Sequence, residues 1–370
     1  MRWLIVGLYL VSACSAPTLQ QTRALTAQGT PTAVPTINAP PSTVVTFEPI
    51  PSPTGVTLPP ITQATSTRSA LALKFSEYDI PTANAFPHSI ALDSNGTLWF
   101  TELNAHKLGR YDPRTKQWQE YPIPTNGGGP HGIGVAADGA VWVTEINADK
   151  LARFDPTSKS FKEYVIGTGG ARPHTIAFTP DAVWFTEQGG GRIGRLEVSS
   201  GGLKEYATSS TNSGPYGLAI GKDGGAWFAA LGASLIGRVD LQTGAETETK
   251  PPTAAQGARR IAADAQGILW ITEFNASKLA RLDPRTREFR EFNVPTANSG
   301  PYAIALDASG GVWLSEFNAN KLARFDPVTE KFDEYAMPSA NTGCRTIVVD
   351  ANNGVWCPGS GIGKLVRLGP

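Results

Sequence analysis

Apolar residues fall in short runs along the chain, each bounded by Gly, Asn, Asp or Pro. In His88-Ser89-Ile90-Ala91-Leu92-Asp93 an apolar strand runs into the turn Ser94-Asn95-Gly96, and Leu98-Trp99-Phe100-Thr101-Glu102 returns antiparallel to it. After the loop Asn104-Ala105-His106, a third strand, Lys107-Leu108-Gly109-Arg110-Tyr111, ends at the turn Asp112-Pro113. The fourth strand is Gln117-Trp118-Gln119-Glu120-Tyr121. Leu98, Trp99 and Phe100 are consecutive apolar residues, so both faces of the inner strands are predicted to be buried.

This unit recurs. Trp99, Trp142, Trp184, Trp227, Trp270, Trp313 and Trp356 follow one another at steps of 43, 42, 43, 43, 43 and 43 residues. A repeat of that length reading as four short strands predicts an all-β, seven-bladed β-propeller, with the Trp packing between blades. The seventh unit stops at Pro370 after its third strand, Lys364-Leu365-Val366-Arg367-Leu368. The missing strand is found at Lys74-Phe75-Ser76-Glu77-Tyr78-Asp79-Ile80-Pro81, which matches Lys331-Phe332-Asp333-Glu334-Tyr335-Ala336-Met337-Pro338. An N-terminal strand is therefore expected to complete the last blade and remove two open edges, giving one propeller over 73–370.

The preceding residues read as signal and tether. Arg2 supplies a positive charge, Trp3 to Val11 an apolar stretch too short to span a bilayer, and Val11-Ser12-Ala13-Cys14 resembles a bacterial lipobox. The expectation is a lipoprotein signal peptide over 1–13, lipidation of Cys14, and extracytoplasmic anchoring to the cell membrane; ordinary secretory cleavage near Ala16 is the alternative. Residues 14–70 are rich in Thr, Pro, Ser and Ala and predict a disordered tether.

Lys plus Arg and Asp plus Glu both number 32, and no basic stretch occurs, which argues against a nucleic-acid partner. The expected partner is a small molecule, peptide or glycan, bound by a monomer. Cys344 and Cys357 form an even pair, and an oxidising compartment favours a disulfide between them. Regular hairpin pairing, however, would put Cys357 opposite Val348 and leave Cys344 out of reach unless the loop folds back.

The start of the first strand and the end of the second share one rim of the channel. The residue after the Pro, or after Ala258 and Cys344 where the Pro is replaced, reads His88, His131, His174, Tyr216, Arg259, Tyr302 and Arg345 around the ring; three beyond the Trp stand Glu102, Glu145, Glu187, Ala230, Glu273, Glu316 and Gly359. A Glu in five blades is expected to accept hydrogen bonds from a loop of its own blade. The His/Tyr exchange suggests a slot for a flat ring with a polar tip. Packed sheets stand about 10 Å apart whereas Zn–N bonds need about 2.0–2.1 Å, so a three-histidine metal site would require rings leaning sharply inward.

Departures from the repeat gather at the same mouth: Arg172 before Pro173-His174, Gln188-Gly189-Gly190-Gly191-Arg192 in place of Phe-Asn-Ala-x-Lys, Arg259-Arg260 in the fifth inner strand, and Asn126-Gly127-Gly128-Gly129 before the second. Histidines on one arc and Arg259 and Arg345 on another suit a ligand carrying a carboxylate or carbonyl oxygens. Candidate ligand-binding residues are His88, Arg172, Gln188, Tyr216, Arg259, Tyr302 and Arg345, with His131 and His174 the candidate catalytic pair. The opposite face carries recurring turns, Asp112-Pro113, Asp155-Pro156, Asp283-Pro284 and Asp326-Pro327, that read as scaffold.

Units such as Gly129-Pro130-His131-Gly132-Ile133, Trp99-Phe100-Thr101-Glu102, Asn320-Lys321-Leu322-Ala323-Arg324 and Glu334-Tyr335-Ala336-Met337-Pro338 resemble those of the virginiamycin B lyases, or streptogramin lyases, across the whole propeller. The resemblance implies a seven-bladed propeller and, for an active member, a carbon-oxygen lyase that opens a cyclic depsipeptide. There a base takes the proton α to the ester carbonyl and Mg2+ steadies the enolate. The family's catalytic positions hold Tyr302, Gly343, Arg345 and Ser360 here. If His131 and His174 stand in, Arg172 and Gln188 occupy the places of the acids. Two functions therefore stay open, a ligand-binding propeller and an ester-opening lyase; seven units count against the six-bladed lactonase-like hydrolases.

Overall fold

The computed structural model describes residues 73–370; the expected signal peptide, Cys14 and the tether lie outside them. The described residues form 28 strands in seven four-stranded antiparallel sheets, with no helix among them. Blade one is Pro87–Leu92, Leu98–Glu102, Lys107–Asp112 and Gln117–Pro122, side by side in that order. The other blades repeat it from Pro130, Pro173, Pro215, Ala258 and Pro301.

The seventh sheet contains Val348–Val349, Val355–Gly359, Lys364–Gly369 and, last, Lys74–Asp79. Six residue pairs from Lys74↔Gly369 to Asp79↔Lys364 close the ring. Tyr78 carries the seam inward, its ring 5.3 Å from that of Trp356 and 5.5 Å from that of Tyr111. Each apolar cluster spans two neighbouring blades, as where Trp99 and Leu108 pack with Val141, Val143 and Phe154. The Trp side chains thus lie between sheets and account for the uninterrupted apolar inner strands.

Side-chain size is matched across the second and third strands. Phe100, Phe185 and Phe228 stand opposite Gly109, Gly194 and Gly237, whereas the smaller Val143, Ile271 and Leu314 stand opposite Ala152, Ala280 and Ala323. A Cβ on Gly194 would lie 2.1 Å from the Phe185 ring, so an aromatic ring at this position requires glycine across from it.

The last blade departs from the regular hairpin. Val348 pairs with Trp356 rather than with Cys357, the first strand shrinks to two residues, and Cys344 bridges to Gly359. This fold-back sets the Cα atoms of Cys344 and Cys357 5.7 Å apart, with their sulfurs joined in a disulfide.

Candidate functional site

A bulge at the start of the first strand places the mouth residues. Pro87 pairs with Glu102 but Ile90 with Phe100, and the same shift recurs in blades two to six. The displaced amide is satisfied by a hydroxyl two residues beyond the Trp: Ser89 N donates to Thr101 Oγ1 at 3.0 Å, Thr175 N to Thr186 Oγ1 at 3.0 Å, and Arg260 N to Thr272 Oγ1 at 3.1 Å. The same hydroxyl then donates to the next blade, Thr101 to His131 O at 2.9 Å, Thr186 to Tyr216 O at 3.0 Å and Thr272 to Tyr302 O at 2.8 Å. One side chain therefore satisfies the bulge and fastens the residue after the neighbouring Pro at the channel. Blade four has Ala229 at this position and lacks the hydroxyl. Sequence reading passed over these hydroxyls, whose only signal was their recurrence.

The residues so placed form a continuous ring. Ring centroids of His88 and His131 are 3.8 Å apart, those of His131 and His174 4.2 Å, and those of His174 and Tyr216 3.7 Å. The Tyr216 and Tyr302 hydroxyls are hydrogen-bonded to each other. Arg259 lies 4.0 Å from the Phe274 ring centroid and 4.6 Å from that of Tyr302, while Arg345 lies 4.8 Å from Phe317 and bonds the Ser360 hydroxyl. The sheet-spacing argument against convergent histidines is thus corrected: strand starts crowd the channel axis, so the rings touch. His131 and His174 are also more buried than a rim position implies, at 7% and 1% exposure.

His131, Arg172, His174, Gln188, Tyr216 and Arg259 line one open pocket of about 520 Å³, with Asn104, His106 and Asn147 at its edge. His88, Tyr302 and Arg345 belong to the ring but lie outside this pocket. Phe86, Phe274 and Phe317, which hold the arginines by cation–π contact, were missed because two of them belong to the recurring loop.

Arg172 and the glycine loop of blade three are two halves of one change. In blades two, five and six the residue before the first strand is Gly129, Gly257 or Gly300, and a Cβ there would fall 2.5–2.7 Å from the amide nitrogen of Asn147, Asn275 or Asn318. In blade three that Asn is replaced by Gly189, and Arg172 takes up the left-handed backbone with φ 48°. A Cβ on Gly189 would in turn lie 2.9 Å from Arg172 Cδ. The side chain has moved from one loop to the other and exchanged an amide for an exposed cation.

Burial and the Arg260 guanidinium push His131 down to about 3, and burial with neighbouring positive charge holds His88 and His174 well below the usual imidazole range. All three are neutral at pH 7. Thr175 Oγ1 bonds His174 Nδ1 at 3.0 Å and accepts from Arg260 Nη1 at 2.8 Å.

Glu102, Glu145, Glu187, Glu273 and Glu316 are fully buried, and their carboxyl oxygens accept no hydrogen bond from an N–H or hydroxyl among the described residues. The expected acceptor role is therefore not seen. Burial, then the neighbouring carboxylates Glu120, Glu163, Glu205, Glu291 and Glu334, raise them to about 7 or 8. At pH 7 Glu187 and Glu273 are mostly neutral and Glu102, Glu145 and Glu316 about half so; all belong to the blades, Glu102 lying against Gly109 and Glu145 against Gly128.

The mouth does not suit magnesium. Mg2+ takes oxygen ligands, chiefly carboxylates, whereas the pocket is lined by imidazoles, two guanidinium groups and amides and contains no Asp or Glu. Among the described residues no group of three or more His, Cys, Asp or Glu is placed to hold a metal.

The sequence profile of the virginiamycin B lyase family matches residues 62–230 and 181–369. Virginiamycin B lyase from Staphylococcus aureus superposes with a TM-score of 0.76 at 29% identity, covering 80% of this chain and 99% of that one. A catalytically inactive variant of the Staphylococcus aureus enzyme with quinupristin gives 0.76 at 28% identity over 80% and 99%. The extracellular domain of a hybrid two component system from B. thetaiotaomicron shares the fold alone, with a TM-score of 0.62 at 18% identity over 77% of this chain and 40% of that one. No curated protein matches the chain.

Proposed function

The chain belongs to the virginiamycin B lyase family, and on that premise we propose that it is an extracytoplasmic propeller, anchored through lipid on Cys14, that binds a polar ligand at the mouth of blades one to five. The observation that carries this reading is the pocket of about 520 Å³ in which Arg172 and Arg259 meet neutral His131 and His174, with no acidic side chain among its lining residues. Such a site favours ligand carboxylate or carbonyl oxygens, with Arg259 and Arg172 as charged donors, Gln188 as a neutral one, and Tyr216 as an aromatic wall. A small molecule, peptide or glycan presenting such oxygens fits this description. Quinupristin, carried by the inactive relative, is the natural probe: calorimetry should detect binding, and Arg259→Gln or His131→Asn should weaken it at least tenfold. Unchanged affinity in both variants would move the site elsewhere.

A second reading, ester opening by elimination, is favoured by the family match across the whole propeller. His131 or His174 would accept the proton α to the ester carbonyl, and the C–O bond would break with the electron pair leaving on oxygen. The departures at Tyr302, Gly343, Arg345 and Ser360 weigh against it. Mass analysis of quinupristin after incubation decides: a ring-opened product lost in His131→Asn and His174→Asn establishes the lyase. Inhibition of that product by EDTA would bring magnesium back.

A further inference from the structure

Next to Arg259, which faces the mouth, Arg260 turns into the channel and is 8% exposed. One nitrogen, Nη1, donates to Thr175 Oγ1 at 2.8 Å across the ring. Its Nε and Nη2 are buried and have no hydrogen-bond partner, and Arg260 forms no ion pair among the described residues. A guanidinium cannot lose its proton at any ordinary pH, so the burial cost cannot be relieved by neutralisation, as it is for the histidines beside it. The Tyr216 ring, 5.3 Å from the guanidinium carbon, offsets part of the charge but meets neither N–H. Nε–H and the adjoining Nη2–H form the straight edge of the guanidinium, which matches the two oxygens of a carboxylate side by side.

We propose that the channel behind the His–Tyr ring is a carboxylate site, in which Arg260 grips a small carboxylate, or the carboxylate end of the mouth ligand, through Nε and Nη2 while Thr175 holds Nη1. The assignment deepens the ligand-binding reading by naming the ligand's anionic group, and it rests on Arg260 rather than on the mouth residues. The charge inventory of the channel agrees: His88, His131 and His174 are neutral, the buried glutamates lie within their blades, and the anion would be the counter-charge that the protein itself does not supply. Because the free edge is closed to bulk water, uptake accompanies breathing or closure of the ring and is read through the folding equilibrium.

The test compares melting of the purified protein in sodium formate and in sodium chloride at equal ionic strength. Formate should raise the melting temperature by several degrees over chloride, increasing with the logarithm of its concentration. Arg260→Met should abolish that difference, and Arg260→Lys, which keeps the charge and loses the fork, should remove most of it. Arg259→Gln should keep it, although the same variant weakens quinupristin binding, so failure of the mouth and failure of the channel site give different results. Superimposable formate and chloride curves for the unaltered protein, or a formate shift retained in Arg260→Met, would overturn the proposal. If Arg260→Met does not fold, a crystal structure of the unaltered protein grown in formate decides, with density bidentate on Nε and Nη2 supporting the site and water or nothing there refuting it.

Discussion

The two ends of the inner hairpins differ in what they must satisfy. At the turn end, Asp93, Asp264, Asp307 and Asp350 cap their own turns and accept the indole N–H of Trp99, Trp270, Trp313 and Trp356 at 2.8–3.1 Å. Every group involved lies within one unit, so the same residues solve the same problem in these four blades, and Thr179 and Asp223 serve Trp184 and Trp227 from within their own turns. At the mouth, His88 meets His131, Tyr216 meets Tyr302, and Arg260 reaches Thr175, all between blades. A position whose partners lie in other units need not repeat, and function has room there that the turns do not allow.

Ring closure is the scaffold's extreme case and gives the largest effect. Deleting residues 1–70 should leave cooperative thermal unfolding intact, whereas deletion through Pro81 removes six residue pairs of the closing strand and bares Trp356. The longer deletion should lose several kcal/mol or aggregate; equal melting temperatures would refute closure as a stabilising element.

Size matching within blades comes next. Gly194→Ala forces a methyl group into the Phe185 ring and should cost roughly 1–3 kcal/mol in denaturant unfolding. Joint replacement with Phe185→Leu, the pairing used in blade six, should recover most of it, and no recovery would show that the pairs are not coupled.

The comparison itself is tested by exchanging one residue at each end. Asp307→Ala strips a carboxylate from Trp313 Nε1 and Arg324 Nε and should cost roughly 2–3 kcal/mol with ligand affinity unchanged. Arg259→Gln should do the reverse, shifting stability by about 0.5 kcal/mol or less while weakening binding. His131→Asn lies between them: the residue is 7% exposed and its ring packs against a tilted ring on each side, so stability and affinity should both fall.

The buried glutamates predict a pH dependence of unusual sign. Their folded values near 7 or 8 exceed the ordinary 4.5, so the stability they confer is full below pH 4.5 and is lost as pH rises through 7 to 8. The depressed histidines act oppositely, losing stability as pH falls below 6.5, which leaves the window from about 6.5 to 8.5 to the glutamates. Stability should decline there as pH rises, by at most about 1.4 kcal/mol per pH unit for each group. Glu273→Gln should flatten the slope by about one proton; a slope unchanged by the substitution would show that Glu273 is already ionised.

Much of this was legible in the chain. Trp spacing predicted the blades, and the match of 74–81 to 331–338 predicted the closing strand, because each is a local pattern repeated. The His, Tyr and Arg register was legible for the same reason. Its compactness was not, since ring-to-ring distances depend on how seven bulged strand starts converge on an axis. Nor could the pairing of Arg172 with Gly189 be read, because those residues are 17 positions apart and share only a space.

The sequence by itself determined seven four-stranded units, their closure, and a mouth whose residues depart from the repeat, because strand and turn preferences act over a few residues. Tertiary structure decided which departures meet. It made the histidines neutral by burying them beside Arg260, raised the proton affinity of the glutamates inside their blades, and set the free edge of Arg260 in the channel. Charge state and partnership depend on the solvent and the groups that surround a side chain, and in a ring those are contributed by residues tens to hundreds of positions away.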